Sequence, residues 1–306
     1  MISYNGSREK IREGPLCPRM PPLPSKDVGI VLVTINAIIM MIAIPGNLII
    51  ITSTLKSPRL RVNITFIFVF SVNVADFLIA SLVQPLMIVY ILLNQNAGIC
   101  LATALSAFIV CCASVYGIIG IILERFVFIV YPFVYHRVST KSKVFFLIVL
   151  FWSIGLFLGI PLISGFDPLF IQGVAFGFFL LSLIISIAAN SRLLRIAMEK
   201  MKKDEKRATM SSGVKSMRIR QIQTTLLILK VCVTFAICWL PNAILVTVVA
   251  ANELKHQSDT FIILYYVSIS LACSNSAFNV LIYGMGNTIL AEEVKKILKS
   301  NRIFTT

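Results

Sequence analysis

The stretch GIIGIILERFVFIVYPF, Gly117–Phe133, is almost wholly apolar and carries one adjacent charged pair, Glu124 and Arg125. Charges in apolar surroundings are costly unless they are paired, hydrated or used. Upstream of the pair the chain is uncharged back to Gly98. About 20 apolar residues are enough to cross a bilayer core as a helix. Length, rather than periodicity, excludes a strand here. The reading at 98–123 is a membrane-crossing helix with the charged pair at its end.

Six further runs share this character, at roughly 28–55, 62–93, 144–163, 169–191, 221–251 and 260–285. Hydrophobic residues make up 58% of the 306-residue chain and charged residues 13%. A soluble fold of this size has no interior large enough for that much apolar surface. The expected fold is all-α: a bundle of seven transmembrane helices, with a short amphipathic eighth helix at the cytosolic interface. Residues 1–27 read as an extracellular tail, 28–286 as the bundle, and 287–306 as the eighth helix and a short cytosolic tail.

The net charge of +15 raises nucleic acid as a partner, and its distribution argues against that. The segments 56–61, 125–143, 192–220 and 295–302 hold 21 of the 28 Lys and Arg. The connections near 94–98 and 164–168 hold none. Alternate loops are therefore basic, the pattern that marks the cytosolic side. It predicts an outside N-terminus and a C-terminus in the cytosol, with the bilayer itself among the partners. The N-terminal tail lacks the apolar core of a signal peptide. Asn5, in Asn5-Gly6-Ser7, is a glycosylation sequon on the outer side, whereas the sequon at Asn63 lies at the cytosolic edge and is expected to stay unused. Beyond Gly284 and Gly286, apolar residues from Ile289 to Leu298 recur at three- and four-residue spacing between lysines, as in a helix lying in the interface.

Polar residues inside such helices are functional candidates. The first run carries Asn47 after Pro45 and Gly46, and the second carries Asp76 within SVNVADFLIA. The third carries Ser114, the fourth Trp152, and the sixth FAICWLP with Phe235, Trp239 and Pro241. In the seventh, SNSAFNVLIYG places Asn275, Asn279 and Tyr283 on one helical face.

These motifs, in this order, resemble the rhodopsin-like family of G-protein-coupled receptors over essentially the whole chain. The resemblance implies a receptor that couples an extracellular ligand to a heterotrimeric G protein through movement of the sixth helix. It implies an activation switch of Glu124, Arg125, Phe126, Gln221, Asn279 and Tyr283. It implies a rotamer toggle of Phe235 and Trp239 above the Pro241 kink. It also implies a polar pocket of Asp76, Ser114, Asn275, Ser276 and Asn279 that holds a sodium ion in many members. The residues themselves leave two readings open: a carboxylate that finds a cation, or one that is protonated in a water-filled network.

Three departures stand out. Val280 replaces the proline expected after Asn279, and Phe126 replaces a tyrosine. Cys100 stands 25 residues before Arg125, about 37 Å along a helix, where the family forms a disulfide to the loop between the fourth and fifth helices. That loop has no cysteine here. Cys17 is the other extracellular cysteine, which leaves either a Cys17–Cys100 bridge or two free thiols. At the helix 6 position where some members carry a second acid restraining the arginine, this chain has Gln221.

The ligand is expected in the outer half of the bundle. Ala107 stands where amine receptors of the family carry an aspartate, so an amine is not expected. The seventh run has no lysine for a retinal Schiff base. The candidate liners Gln84, Phe108, Cys111, Cys112, Asn242, Tyr265 and Tyr266 are apolar or neutral and point to a lipophilic ligand, or to a peptide contacting the rim. A transporter or channel would need more charged residues along a pathway. A receptor-like protein that no longer signals is the other alternative, with Val280 as its hint. An enzyme is not expected, because His136 and His256 fall in loops on opposite sides and no nucleophile–base pair is evident. No cofactor other than the sodium ion is implied.

Overall fold

A computed structural model of the chain describes residues 23–92, 97–160, 168–206, 212–251, 258–286 and 288–303. Asn5 and Cys17 lie outside the described residues. The elements among them are α1 (Lys26–Lys56), α2 (Pro58–Val62), α3 (Ile64–Leu78), a π-helical turn (Ile79–Val83), α4 (Gln84–Leu92), α5 (Ala97–Val130), α6 (Pro132–Val138), α7 (Lys141–Gly159), α8 (Pro168–Lys206), α9 (Ser212–Ala251), α10 (Asp259–Gly286) and α11 (Thr288–Ile303). Among the described residues seven helices are long and apolar enough to cross a membrane. They are α1, the continuous α3–π–α4 rod, α5, α7, α8, α9 and α10.

Single side chains cap the first helices and set the corners between them. Ser25 starts α1 by accepting from the Val28 amide. Ser57 ends α1 and starts α2, accepting from the Leu60 amide with Pro58 at the first helical position. Asn63 ends α2 and starts α3 by accepting from the Thr65 amide at 3.1 Å. The α1–α3 connection is therefore two capped corners around one short helix.

α5 is the central helix and packs against α3, α4, α7, α8 and α9. α10 lies between α1 and α9. Large apolar side chains point outward as they would toward lipid: Phe145 is 66% exposed, Phe146 67% and Phe157 72%. Close helix approach is made by small residues, as membrane packing favours. A Cβ on Gly155 of α7 would lie 2.8 Å from the Ile109 carbonyl of α5. A Cβ on Gly46 of α1 would lie 2.5 Å from Val280 Cγ1 of α10. The residue that departs from the family proline thus fills the α1–α10 seam, and α10 runs unbroken from Asp259 to Gly286.

The π turn has a sequence cause. Pro85 has no amide hydrogen to donate to the previous turn, and its ring crowds the carbonyl four residues back. Widening the turn removes that conflict. One extra residue rotates the rest of the helix, α4, by about 100°.

α11 is docked by charge. Ser57 donates to Glu293 Oε2 at 2.9 Å, and Lys296 Nζ lies 2.7 Å from Glu293 Oε1. Arg59 reaches Glu292 Oε2 at 3.3 Å and Glu293 Oε1 at 3.7 Å. Lys296 first, then Ser57, hold the Glu293 carboxyl below its ordinary pKa range.

Candidate functional site

Three groups of side chains lie along the bundle. At the basic end, Glu124 is 6% exposed and its carboxylate accepts four hydrogen bonds. Arg125 donates from Nε to Oε2 at 2.7 Å and from Nη2 to Oε1 at 2.8 Å. The Thr65 hydroxyl of α3 donates to Oε2 at 3.0 Å, and the Tyr135 hydroxyl of α6 donates to Oε1 at 2.6 Å. Two oxygens with about four lone-pair sites are thereby saturated. Arg125 also donates from Nη2 to the Thr65 hydroxyl, and its guanidinium lies 4.9 Å from the centre of the Phe128 ring. Phe128 meets Tyr135 edge-on at 5.0 Å, so α6 clamps both residues of the pair. Burial first, and then the bond to Glu124, push the Tyr135 phenol above its ordinary pKa, which keeps it a donor. Phe126 points away and meets the Tyr131 ring at 6.2 Å.

Thr65 and Tyr135 are partners that sequence reasoning does not single out. Thr65 is visible only as the threonine of a sequon on the cytosolic side. Tyr135 is visible only as the second tyrosine of YPFVY. Gln221 lies on α9, and its side chain is outside what the structure describes.

At mid-bundle, Asp76, Asn275, Ser276 and Asn279 are fully buried and Ser114 is 1% exposed. Asn279 Nδ2 donates to Asp76 Oδ2 at 2.8 Å. The Ser114 hydroxyl lies beside the carboxylate without hydrogen-bond geometry. Asp76 Oδ1, Ser114 Oγ, Asn279 Oδ1 and both polar atoms of the Asn275 amide have no partner among the described residues. The Ser276 hydroxyl is turned back onto the Cys273 carbonyl at 2.8 Å. Asn47 Nδ2 donates to the Ser276 carbonyl at 3.1 Å and so ties α1 to this part of α10. Trp152 of α7 bonds to Ser71 of α3 at 3.1 Å. Tyr283 is buried in the same core as Leu227 and Val231 of α9.

Toward the other end lies a cavity of about 290 Å³. Ala107, Phe108, Cys111, Cys112, Asn242 and Tyr265 line it, and Phe235 and Trp239 form part of its wall. No charged side chain lines it among the described residues. Phe235 stacks on Trp239 at 5.8 Å and meets Phe179 of α8 at 5.8 Å. Phe179 extends the aromatic pair across to α8, a contact that sequence spacing alone does not reveal. Pro241 sits inside the continuous α9.

Two candidate liners are corrected. Gln84 is fully buried and donates to Asn36 Oδ1 of α1 at 3.0 Å, while Asn36 donates to Ser270 Oγ of α10 at 2.8 Å. The π turn rotates Gln84 off the cavity face and into an α1–α4–α10 polar seam. Tyr266 packs in the core around Leu32 of α1. Its neighbour Tyr265 takes the cavity face, one residue and about 100° away. Cys100 is disulfide-bonded, and Cys111, Cys112, Cys232, Cys238 and Cys273 are free. Cys17, the suggested partner, lies outside the described residues.

Comparison with known proteins agrees with this geometry. Residues 46–283 match the model of the 7 transmembrane receptor (rhodopsin family) group. The chain is 28% identical to melatonin receptor type 1A of Mus musculus over 281 residues, covering 85% of this chain and 78% of that one. It is 27% identical to melatonin receptor type 1B of Mus musculus, over 91% of this chain and 81% of that one. It is 21% identical to galanin receptor 2a of Danio rerio, over 88% and 78% respectively. The named relatives are receptors rather than enzymes. With seven crossing helices in order and the family's match over most of its length, the chain is a multi-pass membrane protein that belongs to the rhodopsin family of seven-transmembrane receptors.

Proposed function

We propose that this receptor binds an uncharged, largely apolar ligand in the cavity beside Trp239 and activates a heterotrimeric G protein at its basic end. The basic end then faces the cytosol of a plasma-membrane protein whose N-terminus is outside, in keeping with the charge asymmetry of the loops. The observation that carries the reading is the saturated Glu124 cluster. It holds a guanidinium at the mouth of the bundle, and every described partner of that group lies on α3, α5 or α6. None lies on α9 among the described side chains. Outward movement of α9 would therefore leave the Glu124–Arg125–Thr65 bonds intact while uncovering Arg125 to a partner.

The Phe179–Phe235–Trp239 column supports the coupling. A ligand pressing on Trp239 acts on α9 near Pro241, where the missing amide hydrogen makes bending cheap. Such a ligand shifts the equilibrium only by its preference for the moved state. The melatonin receptors among the relatives make melatonin the first ligand to test. The test is ligand-free and melatonin-stimulated nucleotide exchange on purified G proteins, comparing the wild type with Trp239→Ala and Arg125→Ala. Loss of exchange in both variants is expected. Exchange unaffected by either would sink the reading.

The mid-bundle cluster fits a sodium ion. A carboxylate oxygen, a hydroxyl and two amide oxygens without protein partners suit a small hard cation. Asp76, Ser114, Asn275 and Asn279 would hold it, with Ser276 backing the site through its helix. Its chemistry is charge neutralisation of a buried carboxylate. Thermal stability compared in sodium and choline buffers reads this without signalling. Ten times the dissociation constant of sodium adds about 1.4 kcal/mol to the wild type and nothing to Asp76→Asn. Equal melting of the wild type in both buffers favours a protonated Asp76 instead.

A further inference from the structure

At the basic end, a second hollow of about 440 Å³ opens between α1, α2, α3 and α7. Its wall is apolar: Leu55 of α1, Val62 of α2 and Phe70 of α3 line it. Leu55 is 54% exposed and Val62 65%, so this wall faces outward from the bundle. Two cations stand at its edge, Arg61 on α2 and Lys141 at the first position of α7. The remaining polar liner, Thr54, is already committed, because its hydroxyl donates to the Ile50 carbonyl at 2.9 Å.

The two arginines of α2 differ. Arg59 turns toward α11 and pairs with Glu292 and Glu293. Lys296 pairs with Glu293 through the same Oε1, at 2.7 Å, and Ser57 takes Oε2. The nearby acids are thereby occupied, and among the described residues neither Arg61 nor Lys141 has an ion-pair partner. The caps at Ser57 and Asn63 fix α2, and with it the position of Arg61.

We infer that this hollow binds an anionic phospholipid of the leaflet at the basic end. The phosphate sits between Arg61 and Lys141, and an acyl chain lies along Leu55, Val62 and Phe70. A neutral sterol would leave both cations unmatched. A soluble phosphate would leave the apolar wall unused. An amphiphile with an anionic head satisfies both, and anionic lipids enrich the cytosolic leaflet, where basic residues gain about 1 kcal/mol each. The inference rests on the membrane fold and is independent of the ligand and of G-protein coupling.

The test uses the full chain reconstituted in phosphatidylcholine vesicles with a minor fraction of phosphatidylserine, then extracted gently for native mass spectrometry. The wild type retains phosphatidylserine over phosphatidylcholine. The double variant Arg61→Gln with Lys141→Gln loses retention by roughly fivefold per charge, the factor corresponding to that 1 kcal/mol. The swap Arg61→Lys with Lys141→Arg keeps it. High salt weakens retention only partly, because the acyl contacts are not screened. Melting of the Gln pair in pure phosphatidylcholine, matched to the wild type, establishes that the fold is intact. Equal phosphatidylserine retention by the Gln pair would overturn the inference. So would displacement by cholesterol, or competition by soluble glycerophosphoserine at the concentration at which the lipid itself binds.

Discussion

Glu124 accepts from Arg125, Thr65 and Tyr135 at once, so each donor has a distinct consequence when removed. Tyr135→Phe deletes one charge-assisted bond while leaving the ring to meet Phe128. Loss of such a bond costs about 1.5–3 kcal/mol. A lower melting temperature and higher ligand-free exchange are expected, because α6 no longer pins Glu124. A variant with unchanged melting and unchanged exchange would show that the bond restrains nothing. Gln221 gives a complementary prediction. A neutral amide supplies at most a weak restraint on Arg125, so Gln221→Ala changes basal exchange little. Gln221→Glu lowers it by adding a charged partner on α9. A basal state insensitive to both changes would contradict this. Glu124 and Arg125 stand out in the sequence because charge is rare in apolar runs. Thr65 and Tyr135 do not, because a threonine at a helix start and a tyrosine in a short connecting segment have many uses. Only the fold brings them to one carboxylate, from positions 59 residues before and 11 residues after it.

Among the helices, the long apolar runs are legible because length alone separates crossing helices from strands. The π turn is not, because Pro85 permits several accommodations, and the one adopted moves Gln84 from the cavity to the α1 seam. Which of two adjacent tyrosines faces the cavity is likewise a matter of helix rotation. The α1–α10 seam has a sharper consequence. Gly46→Ala would put a methyl group against Val280, an overpacking worth about 1–3 kcal/mol. Pairing it with Val280→Ala should recover most of that loss in a double-mutant thermal melt. Additive losses would mean that the two residues do not meet. Docking of α11 carries a pH dependence. The Glu293 carboxyl is held below its ordinary range, so its contribution is present above that range and is lost as pH falls through its folded pKa. Protection of the α11 amides, referred to their intrinsic exchange rates, should fall in the wild type as acid protonates Glu293, below the ordinary carboxylate range. Glu293→Gln should be less protected at neutral pH and lose most of that dependence. An α11 equally protected at neutral and acid pH would refute the clasp.

For the whole molecule, the cavity, the aromatic column, the Asp76 cluster and the Glu124 cluster line up from one end of the bundle to the other, and α9 touches the first two. The cavity carries no charged liner among the described residues, so filling it tests ligand chemistry directly. Ala107→Phe should abolish response to a small apolar agonist while leaving basal exchange intact. Retained response would move the ligand to the rim. The measurement that bears most directly on receptor function is ligand-free nucleotide exchange on purified heterotrimeric G proteins of several classes, with the wild type and Arg125→Ala in the same vesicles at matched folded fraction. Appreciable basal exchange on at least one class, lost in Arg125→Ala, is predicted. Equal exchange by the two proteins, or none from the wild type on any class, would contradict it.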